Sequence, residues 1–109
     1  MALFRVESLP EAPLAAAALF HSRDLPHIAD LAGGPDDAVT IVFAPADHTH
    51  RGWRLAAVQS LARALAPRRV NAFAGDNAAA IAAALAWLEV SPGVTGQYWP
   101  LDGTGLPGA

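Results

Sequence analysis

The chain has 109 residues, a formal net charge of −3 and no cysteine. That bounds it to one small domain and excludes disulfides, thiolate nucleophiles and cysteine-held metal. All seven cationic residues are arginine, which excludes Schiff-base lysines, a P-loop lysine and the long basic footprint of a nucleic-acid binder.

No apolar run approaches the ~20 residues of a membrane span. No basic start followed by an apolar core spells a signal peptide, so a cytoplasmic protein is expected. The hydrophobic fraction is 53%, but 26 residues are alanine. Burial at roughly 25 cal/mol per Å² must therefore come from a modest set of Leu, Ile, Val, Phe and Trp.

Leu3-Phe4-Arg5-Val6 alternates as a short strand, punctuated by Pro10 and Pro13. Leu14 to about His21 reads as helix. Pro26 predicts a break near Asp24, which would cap a further turn or two carrying Ile28 and Leu31. Gly33-Gly34-Pro35 stops that piece.

Val39-Thr40-Ile41-Val42-Phe43 is β-branched and apolar on both faces, the pattern of a parallel strand covered on each side. Asp47 or Thr49 is placed to cap a helix from about His50 to Ala66, which ends before Pro67. At helical spacing Leu55, Val58, Ala62 and Leu65 form one stripe, and Trp53, Ala57, Ser60 and Ala64 a second, small-residue face. A helix so apolar is expected to be covered on two sides.

Arg69 to Phe73 reads as a short strand and Asp76 as the cap of a helix through Glu89, with Ala78, Ile81, Leu85 and Leu88 on one face. After the Pro92-Gly93 turn, Gln97-Tyr98-Trp99-Pro100-Leu101 is a last extended piece. The order βαβαβαβ predicts an α/β fold: a parallel sheet of about four strands with three crossover helices, right-handed in nearly all such units.

Several segments resemble the C-terminal half of the short-chain dehydrogenase/reductase family. Ala56 to Ala66 is similar to the helix after that family's catalytic lysine, and Arg69-Val70-Asn71-Ala72-Phe73-Ala74 to its RVNAIAPG strand. Ile81 to Leu88, Val94-Thr95-Gly96-Gln97 and Pro100-Leu101-Asp102-Gly103 resemble its closing helix and TGQ…DGG ending. The resemblance covers about residues 39–104. It implies a minimal Rossmann-like domain over residues 1–104, with 105–109 as a flexible tail.

The same resemblance implies a truncated, catalytically silent relative. Its catalytic Tyr and Lys positions fall on Arg51 and Leu55, and its Ser position near Pro45 or Ala46. Guanidinium stays protonated and Leu has no proton to exchange. No Gly-rich turn that would cradle a dinucleotide is spelled. No catalytic residue and no cofactor are therefore expected.

Asp47-His48-Thr49-His50 offers candidate metal ligands, with His21, His27 and Asp102 as remote additions. In extended geometry His48 and His50 would share a side. The favoured reading is a polar turn that caps the helix, and no metal is expected. Arg68-Arg69 is expected to be an exposed corner near a helix C-terminus. Asn71, at a strand centre, is expected to tie down a neighbouring loop.

Tyr98 and Trp99 beside Trp87 form either a ligand-stacking surface or a subunit contact, and the contact is favoured. Three helices are few for two sheet faces, which predicts a homodimer. Its candidate interface is Trp53, Ala57, Ser60, Ala64, Trp87, Tyr98 and Trp99. A full-length reductase relative is a second candidate partner.

The leading expectation is a non-catalytic interaction module. The alternatives are a small-ligand or nucleotide-binding domain, using the cleft at Ala44–His48 and Ala74–Asn77, and a residual NAD(P)-linked oxidoreductase subunit that needs a partner chain.

Overall fold

The computed structural model describes residues 1–101. The expected tail at 105–109, the domain boundary at 104 and Asp102 lie outside them. Four parallel strands form one sheet in chain order: β1 (Ala2–Arg5), β2 (Ala38–Phe43), β3 (Arg69–Ala74) and β4 (Tyr98–Pro100). Three helical crossovers join them, which makes the fold a minimal Rossmann-like α/β sheet.

The first crossover is helical throughout, without the expected break. α1 (Pro13–Leu19) passes through a π turn (Phe20–Asp24) into α2 (Leu25–Ala32). The widened turn, in which the Leu25 N–H reaches the Phe20 carbonyl, seats Pro26 at the start of α2, where a missing N–H costs little. Asp24 stays helical and does not cap; its buried carboxylate receives Arg23 Nε at 2.9 Å and Nη2 at 3.1 Å. Gly33 ends α2 as expected, its N–H bonding the Ala29 carbonyl at 3.1 Å.

Every β2 residue is buried, as its two-sided apolar pattern requires. On one face Val39, Ile41 and Phe43 meet Phe20, Ile28 and Ala32 from the first crossover. α3 (Arg51–Ala64) adds Ala57, Val58 and Leu61 to that layer. Phe20, Phe43 and Trp53 close its centre, with ring centroids 5.4–5.7 Å apart. Only one side of α3 is buried: Ser60, Arg63 and Ala64 remain exposed, so the expected second covering is not supplied within the chain.

The last helix, α4 (Ala78–Glu89), lies on the opposite face, where Ala84 and Leu88 pack on Phe73, Trp99 and Leu101. Asn77, rather than Asp76, caps it, accepting from the Ala80 N–H at 2.9 Å. All strands are parallel and ordered as in the chain, so each crossover steps the same way across the sheet. A helix on the other face therefore gives the β3–α4–β4 connection the opposite hand to the first two. The third connection thus departs from the hand expected of nearly all such crossovers.

Asn71 fixes the return of that third connection. Its Nδ2 donates to the Val94 carbonyl at 2.9 Å and its Oδ1 accepts from the Gln97 N–H at 3.1 Å. Arg69 is half-buried, not an exposed corner, and its Nη1 donates to the carbonyls of Leu88 and Ser91 at the end of α4. Among the described residues no helix is long and apolar enough to cross a membrane.

Candidate functional site

Beyond the C-terminal ends of β1 and β2 the chain encloses an open cavity of about 670 Å³. Open α/β sheets place ligands at this end of their strands. One wall is the segment between β1 and α1, including Val6, Glu7, Leu9 and Glu11. The other runs from Ala44 to Asp47 and on to His50 and Arg54.

The first wall is tied down at both ends. Arg23, presented by the π turn and oriented by Asp24, donates to the Glu7 and Ser8 carbonyls at 3.2 and 3.3 Å. Hydrogen bonding to Asp24 raises the Arg23 pKa above its ordinary value, so the donor stays protonated. At the far end His50, 6% exposed, reaches the Glu11 carbonyl with Nε2 at 2.8 Å. Its Nδ1 accepts from Trp53 Nε1–H at 3.0 Å. An acceptor at Nδ1 assigns the proton to Nε2.

This geometry spends the groups that metal ligation would need. Residues 48–50 form a 3-10 turn, in which residues two apart do not share a side, so exposed His48 and inward His50 are separated. The Asp47 carboxylate accepts from the Thr49 N–H at 3.0 Å and from the Thr49 hydroxyl, which caps the turn. These two bonds hold its pKa below the usual carboxylate value. His21 bonds the Ala17 carbonyl on the surface of the first crossover. No cluster of three or more His, Asp or Glu is assembled among the described residues.

Arg54 is the residue that sequence reasoning missed. It is 3% exposed and lines the cavity. Nη1 donates to the Ala44 carbonyl at 3.0 Å and to Tyr98 Oη at 3.2 Å, and the guanidinium carbon lies 4.4 Å from the Phe43 ring centroid. Nε is buried without a partner among the described residues. Among the described residues the ion pairs are the N-terminal amine with Asp36 and Arg23 with Asp24, so no carboxylate there neutralises Arg54. The available signal was its phase: Arg54, Ala57, Val58 and Leu61 follow i, i+3, i+4, i+7, the stripe that is buried.

Of the positions expected to replace catalytic groups, two lie in the cavity lining and two, Arg51 and Leu55, do not. Pro45 and Ala46 line the cavity, exposed Arg51 opens α3, and Leu55 is half-buried one turn later. Of the expected interface residues, Ala57 and Tyr98 are buried within the chain and Trp53 packs into the central aromatic cluster. Ser60 and Ala64 are exposed on α3. Trp87 and Trp99 meet edge to face at 5.1 Å on the other face of the sheet and are half-buried.

A family model described as "Short chain dehydrogenase-like protein" matches residues 4–101. The chain belongs to the short-chain dehydrogenase-like family. No curated protein and no solved structure gives a significant match.

Short-chain dehydrogenases imply a nicotinamide dinucleotide, whose pyrophosphate needs backbone N–H groups at close approach. In this short-chain dehydrogenase-like chain the first turn from strand to helix is Val6-Glu7-Ser8-Leu9-Pro10-Glu11-Ala12-Pro13. It has no glycine, two prolines without an N–H, and carboxylates at Glu7 and Glu11. That turn does not fit a pyrophosphate.

Proposed function

We propose that this short-chain dehydrogenase-like chain is a non-catalytic module that associates as a homodimer through the outer side of α4. The observation that carries the reading is the composition of that helix. α4 is apolar all round apart from Glu89, yet Ala79, Ala82, Ala83 and Ala86 are exposed, and Val90 just beyond it is 77% exposed. Helices of this kind are normally covered.

β2 is already covered on both faces within one chain, so this helix, and not the sheet, is the surface that calls for a partner. A second copy suits the surface because it is nearly uncharged and therefore self-complementary about a two-fold axis. Alanine side chains also permit close approach of paired helices. Trp87 and Trp99 lie beside the contact, while Ser60 and Ala64 lie on the other layer.

The non-catalytic part rests on Arg51, Leu55, Pro45 and Ala46 at the family's reactive positions, none of which exchanges a proton near neutral pH. Sedimentation equilibrium at micromolar concentration tests the dimer. The expected mass is twice 11.3 kDa, reduced to one chain by Ala83→Glu, which keeps helix propensity. A monomeric wild type overturns the reading.

A second reading, independent of the dimer, is favoured by the cavity itself: a small-ligand site at the strand ends. Its walls are Val6–Ala12 and Ala44–Arg54, while Ala74–Asn77 does not line it.

A further inference from the structure

We propose that the strand-end cavity binds a small amino carboxylate, with the carboxylate on Arg54 and the protonated amine among Glu7, Glu11 and Asp47. The inference deepens the small-ligand reading and rests on it.

The first observation is a buried cation that has no counterion among the described residues. Taking a guanidinium out of water is costly unless an anion and full hydrogen bonding compensate it. Arg54 is 3% exposed, and only Nη1 has acceptors among the described residues. The Phe43 ring under the guanidinium offsets part of the desolvation and orients the plane. Nε is sealed from solvent and unpartnered among the described residues, so what remains for a ligand is Nη2, which has no acceptor there either. A carboxylate accepts a charge-assisted N–H···O bond from Nη2.

The second observation is the charge of the rim. Glu7, Glu11 and Asp47 are exposed cavity-lining carboxylates, and among the described residues no other arginine lines the cavity. A phosphate or a dicarboxylate attracted by Arg54 would meet three negative groups on the way in. A ligand with an anionic head and a cationic tail satisfies both ends. Val6, Leu9 and Pro45 between them suit a short apolar spacer.

The walls are held before any ligand arrives. Arg23 fixes the Glu7 end of the outer wall and His50 the Glu11 end, so the carboxylates are placed on tethered backbone. Preorganised walls reduce the ordering cost of binding.

The test is nitrogen–proton correlation NMR of the full chain, with the Arg54 Nε–H signal assigned by its loss in Arg54→Met. Methionine preserves the apolar contact with Phe43 and removes the buried charge. Titrants are glycine, 4-aminobutyrate and 6-aminohexanoate, with butyrate, succinate, inorganic phosphate, butylamine and NAD as comparison arms.

The expected result is saturable movement of the Arg54 Nε–H and the Ala46 and Asp47 amides, with a dissociation constant of about 1 mM or tighter, for at least one amino carboxylate. Arg54→Met is expected to weaken that binding by about tenfold or more. Glu7→Gln with Glu11→Gln is expected to remove the preference over butyrate.

Equal binding of butyrate, or tighter binding of succinate, phosphate or NAD at these signals, overturns the amino carboxylate assignment and leaves the small-ligand reading standing. No response to any titrant overturns both. Undiminished binding by folded Arg54→Met removes the role of the guanidinium. If that variant does not fold, wild-type signals that shift elsewhere but not at Arg54 Nε–H overturn the proposal equally.

Discussion

Trp53 donates its indole N–H to His50 Nδ1 at 3.0 Å, and this single bond commits the other imidazole nitrogen to the Glu11 carbonyl at 2.8 Å. The start of α3 is thereby locked to the segment that walls the cavity. Replacing His50 with Phe keeps the ring volume but leaves the Trp53 indole N–H and the Glu11 carbonyl, both in part-buried bonds, without their partner. The expected loss is about 1–3 kcal/mol of stability, read by urea denaturation. Hydrogen exchange of the Glu7–Ala12 amides is expected to accelerate in the variant.

Tyr98→Phe removes the oxygen that accepts from Arg54 Nη1 at 3.2 Å and leaves the apolar contact with Phe43 intact. A hydrogen bond to a charged group predicts a loss of about 1.5–3 kcal/mol. In the Arg54→Met background the same change is expected to cost much less, because the donor is already gone. A double-mutant cycle in urea measures that coupling directly.

Asp47 gives the acid limb of the stability curve a definite sign. Its carboxylate is stabilised by the Thr49 hydroxyl and N–H, which lowers its pKa in the folded chain from 3.8. The contribution is therefore present above the unfolded value and lost as pH falls below about 3.8 through the lower, folded value. Asp47→Asn is expected to flatten that fall in a series of urea midpoints between neutral and strongly acid pH. A wild-type and a variant series that run parallel would refute the linkage.

Two glycines predict opposite outcomes. Gly96 has φ +74°, a left-handed conformation that a Cβ disfavours, and a side chain would also rest against Ala62 at 3.6 Å. Gly96→Ala is expected to destabilise by about 1–2 kcal/mol. Gly52, in the first turn of α3, has open space around it, with nothing within 4 Å of where a Cβ would stand. Gly52→Ala is expected to stabilise by about 0.4–1 kcal/mol through the unfolded state. Thermal midpoints of the two variants, moving in opposite directions, check both.

The sequence by itself determined the strands, their order and the family, because these depend on local runs. Val39 to Phe43 is β-branched and apolar on both faces, the pattern of a strand covered on each side. Gly33 and the Asn71 loop tie were equally legible, since one residue's chemistry decides each. The tertiary structure alone decided what depends on contacts between distant segments. It put α4 on the opposite face, carried the first crossover through a π turn past Pro26, and turned Arg54 inward beneath Tyr98, 44 residues away in the chain. The physical reason is the range of the forces: periodicity records which side of an element is apolar, but not which neighbour covers it. The phase of Arg54 on α3 matches the buried stripe, but the aromatic floor, the Ala44 carbonyl and the Tyr98 hydroxyl that receive it come from other parts of the chain.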